Sequence, residues 1–290
     1  MERMERVPRA GGVQFRNVVV GVDGRQGGRD AVALAAKLAA TDGLTTSVRV
    51  LMRDPLVGSP DSTRVIDHDQ VRFIEAPSVG RGLHELAEAE GADLLVIGSC
   101  RRGLMGRVMI GDETSDALNG ASCAVAVAPF GYADAPAVID PIGVAYDGSD
   151  ESAAALSVGR ELAHQHDARL SAFQAVAIPA YVSTPGPGGL AYSVPALVDE
   201  ARARIDALGD VEPHAAFGVA AEELALYSAS LGLLILGSRG YGPVGRVIHG
   251  STSRQLARTA RCPLLVLPRD AGSRLPSADD VHHVVAAAVG

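Results

Sequence analysis

The chain has no tryptophan and only 5 Phe and 6 Tyr in 290 residues. Stacking of bases on aromatic platforms, the usual way of holding single-stranded nucleic acid, is therefore not expected. Lysine occurs once, at Lys37, in an alanine-rich stretch with no preceding glycines, so a GxxxxGK[ST] phosphate loop does not exist here. Positive charge is also short. Against 26 Lys+Arg stand 34 Asp+Glu, giving a formal net charge of −8. Binding to nucleic acid without sequence preference depends on basic side chains displacing counterions, so no nucleic-acid partner is expected. Three cysteines, Cys100, Cys123 and Cys262, show no CxxC spacing, which argues against a zinc site and a disulfide framework. No run approaches the ~20 apolar residues of a membrane helix, and the opening MERMERVPRAGGVQF lacks the apolar core of a signal peptide. The expectation is a soluble, cytoplasmic protein with no membrane partner and no metal cluster.

What is present is aliphatic residue, glycine and repetition. The segment GSRGYGPVGRVIHGST, 237–252, follows an apolar run at 231–236 and precedes a helix-like stretch at 251–259. A glycine loop between a strand and a helix N-terminus lets the backbone approach an anion, with the unpaired amides of the first turn aimed at it. GSCRRGLMGRVMIGDET, 98–114, repeats this segment at an offset of 139, with Arg101 in place of Gly240 and Asp112 in place of Ser251. The same offset pairs Cys123 with Cys262 and Pro129 with Pro268. The starts of the halves pair at an offset of 124, Asp23 with Asp147, so the second half holds 15 extra residues (139 − 124). They fall at 192–208, where Val194, Leu197, Val198, Ala201, Ile205 and Leu208 recur at helical spacing. The corresponding stretch 53–70, rich in Pro, Gly, Ser and Asp, reads as a connection.

Each half carries five strand-like runs alternating with amphipathic helices: 18–22, 46–51, 71–75, 94–97 and 124–128, then 142–146, 170–176, 212–217, 231–236 and 264–267. Continuous apolar strands of this kind belong to parallel sheets covered on both faces. The expected fold is α/β, two tandem Rossmann-like domains at 15–133 and 138–269 with a tail at 270–290. Ligands of such sheets bind beyond the carboxyl ends of the strands, where the strand order switches.

Asp147 at the end of the second half's first strand and Gly237 at the end of its fourth both point there. A strand-end aspartate is commonly a turn or N-cap residue, and it could equally accept from a ribose hydroxyl or an adenine amino group. Gly237, Gly240, Gly250, Ser251 and Thr252 would supply amides and hydroxyls opposite it, with Arg239 and Arg246 adding charge. Gly240, Gly242 and Gly245 also spell GxGxxG, yet that fingerprint follows the first strand and needs an acidic residue ending the second, so a nicotinamide enzyme is rejected. No nucleophile and base stand at informative spacing, and no catalytic residue is assigned. His164, His166, His282 and His283 read as surface residues; His249 abuts Gly250 without further support.

These residues resemble the universal stress protein family in its tandem form. The ATP-binding pattern of that family, Gly, two residues, Gly, nine residues, Gly and Ser or Thr, is met by Gly237, Gly240, Gly250 and Ser251. The resemblance covers about 15–268 and implies, per half, a five-stranded parallel sheet flanked by helices, of the adenine nucleotide alpha hydrolase-like type, with pairing through the last strand. It also implies ATP with Mg2+ held by Ala145, Asp147, Val176, Gly237, Arg239, Gly240, Gly250, Ser251 and Thr252, and leaves room for a homodimer beside intrachain pairing. The first half departs from the pattern. Arg101 and the carboxylates of Asp112 and Glu113 occupy loop positions where a phosphate would sit, and like charges in a partly desolvated site weaken binding strongly. The first half is expected to bind nucleotide weakly or not at all. Three roles remain open: a nucleotide-dependent regulator, a slow ATPase, and a nucleotide-free interaction protein. An adenylating enzyme is set aside, because DGSDES after the first strand lacks the paired glycines of an SGGxDS loop.

Overall fold

A computed structural model of the chain describes residues 15–52, 66–68, 71–99, 116–134, 138–177, 194–238 and 251–268. The first half comprises β1 (Phe15–Gly21), α1 (Gln26–Leu38), β2 (Ala39–Met52), β3 (Ile66–His68), β4 (Val71–Ala76), α2 (Val79–Ala89), β5 (Leu94–Gly98) and β6 (Ala124–Ala128). The second comprises β7 (Ile142–Ala145), α3 (Asp150–His166), β8 (Leu170–Val176), α4 (Val194–Asp206), β9 (Glu212–Phe217), α5 (Ala220–Tyr227), β10 (Leu233–Gly237), α6 (Ser251–Thr259) and β11 (Leu264–Leu267).

All strands join one 11-stranded sheet in the order β3-β4-β2-β1-β5-β6-β11-β10-β7-β8-β9. Within each half the five principal strands run parallel. The halves meet antiparallel, Leu264 opposite Val127 and Val266 opposite Val125. Strand residues alternate between two apolar clusters, as the period of two requires. Val18, Val20, Leu94, Ile142, Leu233 and Leu265 pack on one face with Leu34 of α1 and Leu162 of α3. Val19, Leu95, Leu234 and Val266 pack on the other with Leu83 of α2 and Leu256 of α6. Each cluster draws on both halves, so the core runs unbroken through the β6–β11 junction.

Two features differ from the sequence reading. The stretch expected as a plain connection contains β3, a three-residue strand antiparallel to β4. It is too short to carry a period, and it lengthens the first half's sheet by one strand; residues 53–65 and 69–70 lie outside the described residues. In addition, β2 starts seven residues before the expected 46 and follows α1 directly, with a register shift against β1 between Phe15 and Asn17.

Local chemistry explains how the helices begin. Ser149 caps α3, its side chain accepting from Ser152 N at 3.3 Å, with Asp150 and Glu151 in the first turn. Arg25 stands at the start of α1, where no side-chain cap is made. Instead α1 carries Asp30, wholly buried, whose carboxylate accepts from Gly131 N at 2.8 Å, Ala133 N at 2.9 Å and Gln26 Nε2 at 3.0 Å. Those amides belong to the segment leading out of β6, so Asp30 fixes the path by which the chain leaves the first half.

Candidate functional site

In the second half, the carboxyl ends of β7, β8 and β10 and the starts of α3 and α6 enclose a cavity of about 200 Å3. Five of the expected residues line it: Ala145, Asp147, Gly237, Ser251 and Thr252. Val176 ends β8 and is not among the lining residues. Arg239, Gly240 and Gly250 lie outside the described residues, as do Arg246, His249 and, in the first half, Cys100, Arg101, Asp112 and Glu113.

Asp147 is held by its own turn. Its Oδ1 accepts from Ser149 N at 3.1 Å and Ser149 Oγ at 2.5 Å, while its backbone N donates to Ser152 Oγ at 3.4 Å. Gly148 between them takes φ +83°, a conformation that favours glycine. The carboxylate is thus positioned before any ligand arrives. Gly237 has a role the sequence does not suggest. A Cβ there would stand 2.5 Å from the backbone oxygen of Glu151, so the glycine is required by the approach of α3 to the end of β10. The next hydroxyl, on Ser238, is buried with no hydrogen-bond partner among the described residues, while its N donates to Leu267 O at 3.0 Å. Also lining the cavity, α6 opens with Ser251, exposed, and Thr252, half-buried. Helix N-terminal amides carry partial positive charge, and these two hydroxyls stand beside them.

Among the lining residues that escaped the sequence reading, Phe173 and Glu151 bear most on the chemistry. Phe173 of β8 stands beside Ala145 of β7 in the ladder and stacks on Tyr227 with ring centroids 4.8 Å apart. Tyr227 is itself anchored through its hydroxyl to Ser171 Oγ, and burial pushes its pKa up to about 12. Scarce as aromatics are, Phe173 and Tyr146 both line this cavity; for Phe173 the ladder position beside Ala145 was the available signal. Glu151 also lines the wall, so the charged groups there among the described residues, Asp147 and Glu151, are both acidic.

The equivalent cavity of the first half is larger, about 420 Å3, between β1, β2, β5, α1 and α2. Asp23 repeats the turn of Asp147, its Oδ1 accepting from Arg25 N at 2.8 Å and Gly28 N at 3.1 Å. Gly98 repeats the close approach of Gly237, a Cβ there meeting Gly27 O at 2.0 Å. The walls differ: Val48 stands at the place of Phe173, Gly27 at that of Glu151, and Arg25 at that of Ser149. Of the histidines, His164 and His166 occupy the last turn of α3, away from either cavity, with the pKa of His166 lowered by burial.

Fold and site together define a tandem doubly wound α/β protein with a cavity at the switch point of each half. The sequence model of the universal stress protein family matches residues 61–129 and 139–268, and the chain belongs to that family. A universal stress protein of Mycobacterium tuberculosis is 28% identical over 288 residues, which cover 86% of this chain and 96% of that protein. One from Thermus aquaticus is 33% identical over 137 residues, 43% of this chain and 95% of that protein. Among solved structures, a universal stress protein from Archaeoglobus fulgidus superposes with a TM-score of 0.57 at 16% identity, covering 88% of this chain and 99% of that one. That likeness is one of fold. No helix among the described residues is long and apolar enough to cross a membrane.

Proposed function

We propose that the second half binds an adenine nucleotide, ATP with Mg2+, and that occupancy of this site regulates the protein's interactions. The observation that supports this reading is that Asp147 and the α6 N-terminus line one cavity, with the complete glycine pattern of 237–251 joining β10 to α6. Asp147, held by Ser149, would accept from the adenosine part, and Phe173 and Ala145 would border the base. Ser251 and Thr252 would face the phosphates with amides and hydroxyls. The described walls bring two carboxylates and no cation, so the phosphate charge has to be met by Mg2+ and by Arg239 of the loop. The ion supplies charge neutralisation; the chain supplies orientation and the anion-binding amides.

Equilibrium dialysis of nucleotide-depleted protein against ATP with Mg2+ tests the reading. Saturable binding, weakened about tenfold or more by Ser251→Asp, is the expected result. Absence of saturable binding would remove it and leave a nucleotide-free interaction protein.

A further inference from the structure

The first half's cavity is not a smaller, spoiled copy of the second. At about 420 Å3 it falls within the ~300–1,000 Å3 of ordinary small-molecule sites. Its inner wall is aliphatic, formed by Val48, Val50, Leu83 and Ile97. Val48 at the place of Phe173 opens the space; Gly21 replaces Ala145 at the same ladder position. The electrostatics change as well. Arg25 takes the place of Ser149 and Gly27 that of Glu151, and Arg49 follows Val48 where Gln174 follows Phe173. The Nη1 of Arg49 lies 3.6 Å from where a Cβ on Gly24 would stand, which puts its guanidinium over the turn that carries Asp23 and Arg25. Neither the Arg25 nor the Arg49 guanidinium has an ion-pair partner among the described residues.

We propose that this cavity is a second ligand site, specific for a small amphipathic monoanion: an aliphatic body in the Val48–Val50–Leu83–Ile97 pocket and a carboxylate between Arg25 and Arg49. Guanidinium groups match carboxylates in geometry and charge. Among the described residues the charged lining groups are Arg25, Arg49 and Asp23, so one guanidinium charge is left to meet a single carboxylate. The proposal does not depend on nucleotide binding in the second half.

The test is calorimetric titration of the full chain with hexanoate, octanoate and decanoate, with decylamine as the cationic counterpart. One saturable site is expected for the carboxylates, with affinity rising roughly fourfold per added methylene until the cavity fills. Arg25→Ala with Arg49→Ala weakens it tenfold or more, and Val48→Phe, which copies the second half, removes it while a cooperative melt shows the variant folded. ATP does not displace the acid. No saturable carboxylate binding, equal binding of decylamine, binding unchanged by both the double arginine variant and Val48→Phe, or displacement by ATP would each overturn the proposal.

Discussion

The two halves share a fold down to individual packing contacts and differ where a ligand would touch. Both strand-end aspartates, Asp23 and Asp147, accept from the amide two residues on, and both loop-opening glycines, Gly98 and Gly237, lie against the start of the first helix of their half, α1 and α3. These shared features are therefore structural requirements of the β1–α1 and β7–α3 turns. A strand-end aspartate and a first glycine do not by themselves announce a nucleotide. Discrimination between the halves falls to the rest of the loop, to Ser251 against Asp112, and to the walls, Phe173 against Val48. Cavity volume and loop sequence point to different halves for ATP, since the larger space belongs to the half whose loop carries carboxylates.

The closest approaches should show the largest effects. Gly98→Ala places a Cβ 2.0 Å from Gly27 O, and Gly237→Ala places one 2.5 Å from Glu151 O, backbone contacts that no side-chain movement relieves. Overpacking of this kind costs about 3 kcal/mol, the first variant losing more than the second in urea melts. Equal, negligible losses would mean that the helices can withdraw and that the glycines are there for a ligand. Next comes a device found in one half only. Asp30→Ala strips a buried acceptor from two amides of the segment after β6, and Ala154 stands at the matching place in the second half. A loss of about 2 kcal/mol is expected from the unpaired donors, read as a lower denaturation midpoint with unchanged slope.

A finer split comes from the aspartates. Asp23→Ala and Asp147→Ala should each remove about 1 kcal/mol of turn stability, but Asp147→Ala alone should weaken ATP, by about tenfold. Weakening by both would restore nucleotide binding to the first half. The smallest contrast is no contrast: Cys123 and Cys262 are buried, and burial pushes both thiols up to about 12. With so little thiolate at pH 8, neither should react with iodoacetamide until the protein unfolds, as peptide mapping would report.

Most of the architecture could be read from the chain because it rests on repeated local signals. Strands at 124–128, 170–176, 212–217 and 264–267 stand where the apolar runs place them, and the helical spacing at 192–208 is realised as α4 (Val194–Asp206), with Ala201 and Ile205 buried as that spacing requires. What escaped depends on contacts between distant segments. β3 has too few residues for a pattern, Asp30 looks like any helix-surface acid until residues 131–133 are folded over it, and Phe173 reads as a core residue until β7 is set beside it. The continuous sheet follows from β6 meeting β11, two strands separated by more than a hundred residues and similar in sequence only because the halves are copies.

Whether each chain holds one nucleotide site, in its second half, is decided by the stoichiometry of ATP binding measured calorimetrically with Mg2+. The unmodified chain should bind one equivalent, and a Gly240→Arg, Ser251→Asp variant, whose loop copies the first half at those positions, should bind none while melting normally. Two equivalents in the unmodified chain, or one retained in the variant, would contradict the account.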